Sequence, residues 1–336
     1  MSRKTTSGGA LGKHTVEKIG GTSMTKFGEV MRHIIIGRRK GRELYQRIFV
    51  VSAFGGITDL LLEKKKTGEP GVYAKFALGD RKGWQAMLEA VRARMLELNR
   101  SFADIGLDQQ QADAFVNERI NGIKACLGDL MRLRSFGHFQ PTDYLPATRE
   151  FLSAVGEAHS AYVATLILRR HKVNARFVDL TGWKEAETLP LNQELRTTFS
   201  EVDLARELPI VTGYAKCEEG LMGTFDRGYS EITFSKIAVV TRAREGVIHK
   251  EFHLSTGDPK LIGADRVRII GQTNFDIADQ LADMGMEAIH PRASKEMELC
   301  NIPIRVKNTF EPDHPGTLIC HGFVSPQPRV EMICGR

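Results

Sequence analysis

The sequence lacks several features that mark whole classes of protein. No apolar run approaches the ~20 residues that cross a membrane, and residues 1–13 are polar and rich in Gly and Ser, unlike a signal peptide. The five cysteines lie far apart without a C-x-x-C pair, which argues against a disulfide framework and against a cysteine zinc site. We therefore expect no membrane partner and a cytoplasmic location.

An excess of charge of one sign is also missing. Lys and Arg number 47 against 41 Asp and Glu, which gives a net charge of +6, and the charges are interspersed, so no nucleic-acid partner is expected. The dense basic runs at 38–42 and 64–66 are interpreted as solvated helix ends. With 42% hydrophobic residues, a chain of 336 residues can form one large α/β domain or two modest ones.

The segment at 15–23 joins a predicted strand to a glycine turn. Residues 15–19 read as the strand, Lys18 lies at its end, and the sequence G-G-T-S follows at 20–23. Paired glycines expose backbone N–H groups, and Thr22 and Ser23 can cap a helix that begins near Thr25. A helix N-terminus beside a lysine favours phosphate, although the Walker A pattern is absent. A purely structural turn is the equally weighted alternative.

A second glycine turn, at 52–59, follows an apolar segment at 47–52 that predicts a buried parallel strand. Ligands collect at the carboxyl ends of parallel strands, so the two turns should face a common cleft. Residues 64–137 contain no strand candidate and predict an inserted helical subdomain or lid, or alternatively a helical layer over the sheet. Further strands are predicted at 175–180, at 208–214 and, as the last core strand, at 302–307, before a turn-rich linker at 312–317.

Two charged residues have ambiguous surroundings. Glu157 lies in the first part of a helix predicted from 151 to 168, where it is either a surface residue or the partner of an ammonium group. Arg227 lies in the glycine-rich segment 220–233 and can clamp a carboxylate in bidentate fashion, with Ser230 assisting. A tight hairpin tip is the alternative for that segment.

The order of these segments resembles the aspartokinase branch of the amino acid kinase family, over residues 15–319. The family patterns are K-F-G-G-T-S, V-V-S-A-x-x-G-x-T, S-x-G-E, G-R-G-G-S-D, T-x-D-P-R, H-P-R and I-P-I-x-[IV]-x-[NS]-T. They correspond here to segments 18–23, 50–58, 153–157, 226–231, 256–260, 290–292 and 302–309. The resemblance implies a three-layer α/β/α sandwich with a mainly parallel central sheet.

The resemblance also implies a domain organisation. A disordered tail at 1–14 would precede an N-terminal lobe, about 15–235, that binds aspartate, and a C-terminal lobe, about 236–319, that binds nucleotide. Residues 320–336 would form a linker and the first strand of a truncated or absent ACT regulatory domain. A homodimer is a possible assembly.

For the site, the resemblance implies phosphoryl transfer from ATP, with Mg²⁺, to the β-carboxylate of L-aspartate. Lys18 would neutralise the transferring group, and Glu231 would stand where the family has an active-site aspartate. Substrate contacts would come from Ser52, Thr58, Glu157, Tyr214, Arg227 and Ser230. Nucleotide contacts would come from Lys18, Gly20, Gly21, Ser23, Thr256, Asp258 and Lys260. Arg227 would bind the α-carboxylate and Glu157 the α-ammonium, and no general base is needed because the attacking carboxylate is already ionised at neutral pH.

The sequence departs from the family mainly in the nucleotide half. The family segment W-T-D-V-D-G is missing and 248–253 occupies its place, while Glu287 replaces a lysine and Tyr229 a glycine. The resulting pattern is similar to the divergent aspartokinases associated with ectoine synthesis, so the product would lead towards lysine, threonine, methionine or ectoine. Two alternatives stay open: a kinase of another small carboxylate or carbamate, and a non-catalytic sensor that binds an amino acid.

Overall fold

A single mixed sheet organises the computed structural model, which describes residues 11–65, 67–225, 228–257, 263–283 and 289–327. The strand order is β3-β4-β2-β1-β5-β7-β8-β6, and neighbouring strands are parallel except for the antiparallel pair β7 and β8. Helices lie on both sides of the sheet, as the three-layer prediction required. The strands are β1 (Thr15–Ile19), β2 (Arg47–Val51), β3 (Ala175–Val178), β4 (Leu208–Thr212), β5 (Glu245–Lys250), β6 (Gln272–Thr273), β7 (Ile304–Asn308) and β8 (Thr317–Ile319).

Twelve α-helices connect and cover these strands within the described residues. A π-helical turn, Met31–Ile35, continues α2, and short 3₁₀ turns occur elsewhere. The helices are α1 (Gly21–Thr25), α2 (Phe27–Val30), α3 (Ile57–Leu61), α4 (Val72–Ala77), α5 (Arg81–Ser101), α6 (Gln109–Arg134), α7 (Pro141–Arg170), α8 (Leu191–Ser200), α9 (Leu221–Phe225), α10 (Tyr229–Thr241), α11 (Phe275–Asp283) and α12 (Pro291–Leu299).

Helix α7 is the central helix of the fold. It packs on β2, β3 and β4, while α10 packs on β1, β2 and β5. By length and composition alone α7 could cross a membrane, but 89% of its most apolar window is buried inside the structure. A helix that is apolar on all sides is buried on all sides, so α7 is a core helix. It begins at Pro141, ten residues before the predicted start.

The helical region after α3 belongs to the same hydrophobic core as the sheet. Helices α4, α5 and α6 pack on one another, and α4 and α6 also pack on α7. In α5 the side chains of Trp84, Leu88, Val91 and Met95 are fully buried, at the three- and four-residue spacing of one helix face. The structure therefore favours the helical layer over a separate subdomain. This layer packs mainly on α7, and Phe115 of α6 also meets Phe177 of β3 at the edge of the sheet.

Three predictions about local structure are wrong. Residues 302–307 were expected to hold the last core strand, but β8 follows and begins at Thr317, the last residue of the predicted linker. Strand β6 was not anticipated because two residues carry no periodicity. Helix α1 begins at Gly21 rather than near Thr25, with Gly20 as a cap that offers no side-chain hydrogen bond. The basic run at 38–42 is not uniformly solvated, because Arg39 is partly buried.

Candidate active site

A pocket of about 270 Å³ lies at the carboxyl ends of β1, β2 and β4. Both glycine turns line it, together with the carboxyl group of Glu157 and the first residues of α10. The expectation of a common cleft is therefore confirmed. The predicted residues that the structure brings together here are Gly21, Ser52, Thr58, Glu157 and Ser230.

The two glycine turns touch through their backbones. The Gly55 N–H donates to the carbonyl of Gly21 at 3.1 Å and to Thr25 Oγ1 at 2.9 Å. A Cβ atom at Gly21 would lie 2.4 Å from the carbonyl oxygen of Ala53, closer than any real contact. Glycine is thus required at position 21 because the second turn occupies the space of a side chain.

Glu157 is a buried carboxyl group with one oxygen left open. Its side chain accepts a hydrogen bond at Oε1 from Ser230 Oγ, at 2.9 Å, and Ser52 Oγ donates in turn to Ser230 Oγ at 3.2 Å. Oε2 is buried without a hydrogen-bond partner among the described residues. A Cβ atom at Gly213 would lie 2.8 Å from Oε2, so the glycine that ends β4 makes room for it. With 2% of Glu157 exposed, the surface interpretation is wrong.

The pKa of Glu157 reflects this burial. Desolvation raises the pKa of the carboxyl group to about 8, although the Ser230 hydroxyl, the positive charge of Lys18 and the backbone N–H groups of Tyr214 and Ala53 oppose the shift. An ammonium group at Oε2 would supply both the missing hydrogen bond and the missing charge. The pocket therefore fits the amino group of a small ligand.

Lys18 and Glu231 form an ion pair beside this pocket. Lys18 Nζ lies 3.4 Å from Glu231 Oε1, and the other carboxylate oxygen of Glu231 accepts the His290 N–H at 2.6 Å. Burial raises the pKa of Glu231, but Lys18, Lys250 and the His290 N–H outweigh burial and hold the pKa below its usual range. Glu231 thus stays ionised and ties the Lys18 ammonium to the N-terminus of α12.

Tyr214 is held away from the pocket. Its hydroxyl donates to Glu150 Oε2 at 2.7 Å, and Glu150 Oε1 accepts the N–H groups of Met222 and Gly223 at 2.6 and 3.1 Å. The pocket is lined instead by Tyr229, whose ring meets that of Tyr214 edge-on at 5.7 Å. Tyr214 thus anchors the start of the glycine-rich segment 220–233 through Glu150, and its expected contact with substrate stays a prediction.

The predicted nucleotide residues are only partly explained by the structure. Ser23 is fully buried, with its hydroxyl 2.9 Å from Glu251 Oε1 and 3.2 Å from Thr309 Oγ1, so the hydroxyl serves the protein's own structure. Thr256 Oγ1 accepts the N–H of Arg268 at 3.0 Å, which closes a local turn. Gly20 lies between Lys18 and α1 with its backbone partly exposed. Arg227, Asp258 and Lys260 lie outside the described residues.

Sequence reasoning missed four residues that shape the site. Glu150 lies seven positions before Glu157, two turns along the same helix face, and that spacing was the available signal. The other three make contacts across more than 50 residues of sequence, which no local pattern shows. Gly213 leaves space for Glu157, Glu251 accepts a hydrogen bond from Ser23, and the His290 N–H donates to Glu231. Among the described residues, no group of three His, Cys, Asp or Glu side chains is arranged to hold a metal ion.

Comparison with known proteins identifies relatives of the whole described chain. The model of the amino acid kinase family matches residues 13–308. The aspartate kinase Ask_Ect of Stutzerimonas stutzeri is 54% identical over 324 residues, which are 96% of this chain and 68% of that protein. An aspartokinase of Chlamydia muridarum is 26% identical and matches 90% of this chain but 62% of its own length. The chain thus spans about two thirds of the length of these relatives.

A solved structure shows the same fold. Aspartokinase III of E. coli, in complex with aspartate and ADP, superposes on this chain with a TM-score of 0.70 at 21% identity. The match covers 94% of this chain and 66% of that one.

The buried Glu157 carboxyl predicts a pH-dependent stability. Its native pKa lies above that of the unfolded chain, so its contribution to stability is full below the unfolded value of 4.5 and is lost as pH rises through about 8. We expect Glu157→Gln to stabilise the ligand-free protein by about 5 kcal/mol at pH ~9, and little at pH ~5. Urea unfolding of both proteins across this range measures the difference.

The control is Glu187→Gln, which neutralises an exposed carboxyl group. This variant should unfold like the parent at every pH. A constant difference between Glu157→Gln and the parent from low to high pH would contradict a protonated, buried Glu157.

Proposed function

From the premise that this chain belongs to the amino acid kinase family, in its aspartate kinase branch, we propose that it transfers the γ-phosphoryl group of ATP to the β-carboxylate of L-aspartate. The product is 4-phospho-L-aspartate. The observation that carries the proposal is the buried Glu157 carboxyl, whose open Oε2 faces a small pocket that Lys18 adjoins.

Glu157 selects the amino group of the substrate. An α-ammonium at Oε2 ionises the carboxyl group and turns a costly buried charge into a hydrogen-bonded ion pair. The hydroxyls of Ser52, Thr58 and Ser230 line the same pocket and can bind the carboxylates of the amino acid. In the proposal Arg227 clamps the α-carboxylate, a role that rests on its place in the substrate loop and on the family resemblance.

Phosphoryl transfer in this pocket requires alignment and charge neutralisation. The β-carboxylate is an ionised nucleophile, so the protein supplies no general base. Lys18 reaches the transferring group as a mobile positive charge, and Glu231 sets its position from α10 while bound to the backbone of α12. Glu231 is therefore a positioning residue in this mechanism.

Mg²⁺ fits the donor set as an ion carried mainly by the nucleotide. Magnesium is usually bound through one or two carboxylates plus substrate phosphates, with several waters retained. The carboxylates near the first glycine turn are Glu231 and Glu251, the latter with Oε1 4.0 Å from the place of a Cβ atom on Gly20. When bound, the ion would neutralise charge on the β- and γ-phosphates.

The remaining proposals follow the family. Aspartate would bind within residues 15–235 and nucleotide within about 236–319, between the tail at 1–14 and the segment 320–336. The enzyme would act in the cytoplasm as a homodimer. The ectoine type is supported by the 54% identity to the Ask_Ect aspartate kinase.

The first test of function is a substrate panel. ADP release is measured with L-aspartate, L-glutamate and N-acetyl-L-glutamate offered separately. We expect turnover with aspartate, because the pocket is small and an acetylated amine cannot pair with Glu157. Turnover with N-acetylglutamate alone would favour a kinase of another carboxylate. Aspartate binding without ADP release would favour a non-catalytic sensor.

Lys18→Met tests the assignment of the phosphoryl-binding charge. We expect kcat to fall by about 100-fold or more, because the charge is needed where the phosphoryl group transfers, while the KM for aspartate changes by less than about threefold. Lys124→Met, which removes an exposed lysine paired with Glu89, is the matched control. A Lys18→Met enzyme with the kcat of this control would remove Lys18 from the mechanism.

The pKa of Glu157 predicts that aspartate binding releases a proton. At neutral pH the free carboxyl group is mostly protonated, and pairing with the substrate ammonium ionises it. We therefore expect aspartate affinity to rise with pH up to about 8 and then to level off. Calorimetry in buffers of different ionisation enthalpy counts the protons, and Glu157→Gln should bind weakly without releasing any. An equal proton count for both proteins would contradict this role of Glu157.

A further inference from the structure

One face of the central sheet is polar where a parallel sheet is normally apolar. Strands buried on both sides read as nearly continuous Val, Ile and Leu. Here the residues in register on one face of β1, β2, β5 and β7 are mostly charged or polar. Those that line a pocket are Thr15, Glu17, Arg47, Glu245, Val247, His249, Arg305 and Lys307, while Phe49, in register with Glu17, is buried on the same face. On the other face of the same strands, Val16, Ile48, Ile248 and Ile304 are fully buried.

This polar face lines a pocket of about 420 Å³. The pocket lies against one face of β1, β2, β5 and β7, whereas the active site lies at the carboxyl ends of β1, β2 and β4. Its volume falls in the range of small-molecule sites. Six basic side chains line it: Lys13, Arg39, Arg47, Arg244, Arg305 and Lys307. Three carboxylates, Glu17, Glu43 and Glu245, line it as well.

Two of the carboxylates are already used. Glu17 binds Arg47 in bidentate fashion, at 2.7 and 3.0 Å, and accepts His249 Nε2 at 2.8 Å. Glu245 pairs with Arg305 at 2.8 Å. These contacts hold the pocket wall in shape without removing its excess of positive charge.

Four of the basic side chains have no carboxylate partner in the described part of the chain. Arg39 donates to the carbonyl of Ile34, Lys307 donates to that of Pro312, and no ion pair involves Lys13 or Arg244. Burial and the positive charge of Arg47 lower the pKa of Arg39, although Glu17 and Glu43 oppose the shift. Burial, Arg305 and Arg39 lower the pKa of Lys307, although Glu17 and Glu245 oppose it. A bound anion would relieve this repulsion.

One ring nitrogen of a buried histidine in this pocket lining also lacks a hydrogen-bond partner among the described residues. His249 is 3% exposed, and its Nδ1 makes no hydrogen bond to any described residue. Since Nε2 donates to Glu17 and burial lowers the pKa of the ring, Nδ1 of the neutral imidazole is an unused acceptor. Anions that also carry a hydroxyl or a protonated oxygen can satisfy it.

We propose that this polar pocket is a second ligand site, which binds a small organic anion with two or more negative charges. Phosphate and carboxylate groups both match guanidinium geometry, so the ligand is a phosphorylated or polycarboxylate metabolite. The excess positive charge attracts such an anion, and the fixed Glu17–Arg47 ion pair shapes the binding site.

The site adjoins the active site through the sheet itself. Glu17 lines the polar pocket, and the next residue of β1 is Lys18 of the ion pair with Glu231. His249 is followed likewise by Lys250, whose charge lowers the pKa of Glu231. An occupant of the polar pocket therefore lies one residue away from two groups that set the charge of the active site.

Calorimetric titration with inorganic phosphate and, separately, with citrate tests the proposal on the full chain. We expect saturable binding of at least one anion with a dissociation constant of about 1 mM or below. Arg39→Gln and Lys307→Met should each weaken it at least tenfold. Arg38→Gln is the matched control, because Arg38 is 91% exposed and lies one residue from Arg39.

Phosphate can also occupy the active site, so Lys18→Met separates the two sites. Binding that survives Lys18→Met and Arg38→Gln but is lost in Arg39→Gln and Lys307→Met supports the polar pocket, and the tighter of the two anions indicates the ligand class. No saturable binding of either anion, affinity unchanged by both pocket variants, or loss in Lys18→Met alone would overturn the proposal.

Discussion

The active site depends on a backbone contact between two turns. Because Gly21 lies against the carbonyl of Ala53, the end of β1 and the end of β2 meet without side chains between them. This contact brings Lys18 and the hydroxyl of Ser52 to the same end of the sheet. Any side chain at position 21 would separate the turns and move the phosphate side of the site away from the amino-acid side.

Helix α7 then fixes the amino-acid side as one rigid unit. Glu150, Glu157 and Ser160 lie on its pocket-facing side, with spacings of seven and three residues. Glu150 holds the start of α9, Glu157 lies at the pocket, and Ser160 Oγ binds the carbonyl of Ser52 at 2.8 Å. A site built on one buried helix keeps its geometry more closely than one built on loops.

Local sequence patterns predicted the first two strands, whose boundaries depend on neighbouring residues in the chain. The bounds of β1 match the structure and those of β2 differ by one residue, because each is a short segment rich in β-branched residues that leads into a glycine-containing turn. The surroundings of Glu157 were not predictable in this way, since its burial depends on β4 and α10, which are distant in sequence. The hydroxyl partners of Ser23 were not predictable for the same reason, because Glu251 and Thr309 come from the far end of the chain. The alternation of charged and apolar residues in β1 was visible in the sequence. It could not show a polar sheet face, because that depends on whether the neighbouring strands carry polar residues in register.

The burial of α7 has a consequence for how the protein folds. The apolar part of this thirty-residue helix packs on the sheet and on the layer of α4 and α6. Its apolar side chains therefore stay exposed to water until both partners have formed. An intermediate missing either partner would expose a segment apolar enough to associate with other chains or with a chaperone. The sheet and the helical layer, which is inserted between β2 and β3, should therefore form together as one cooperative unit.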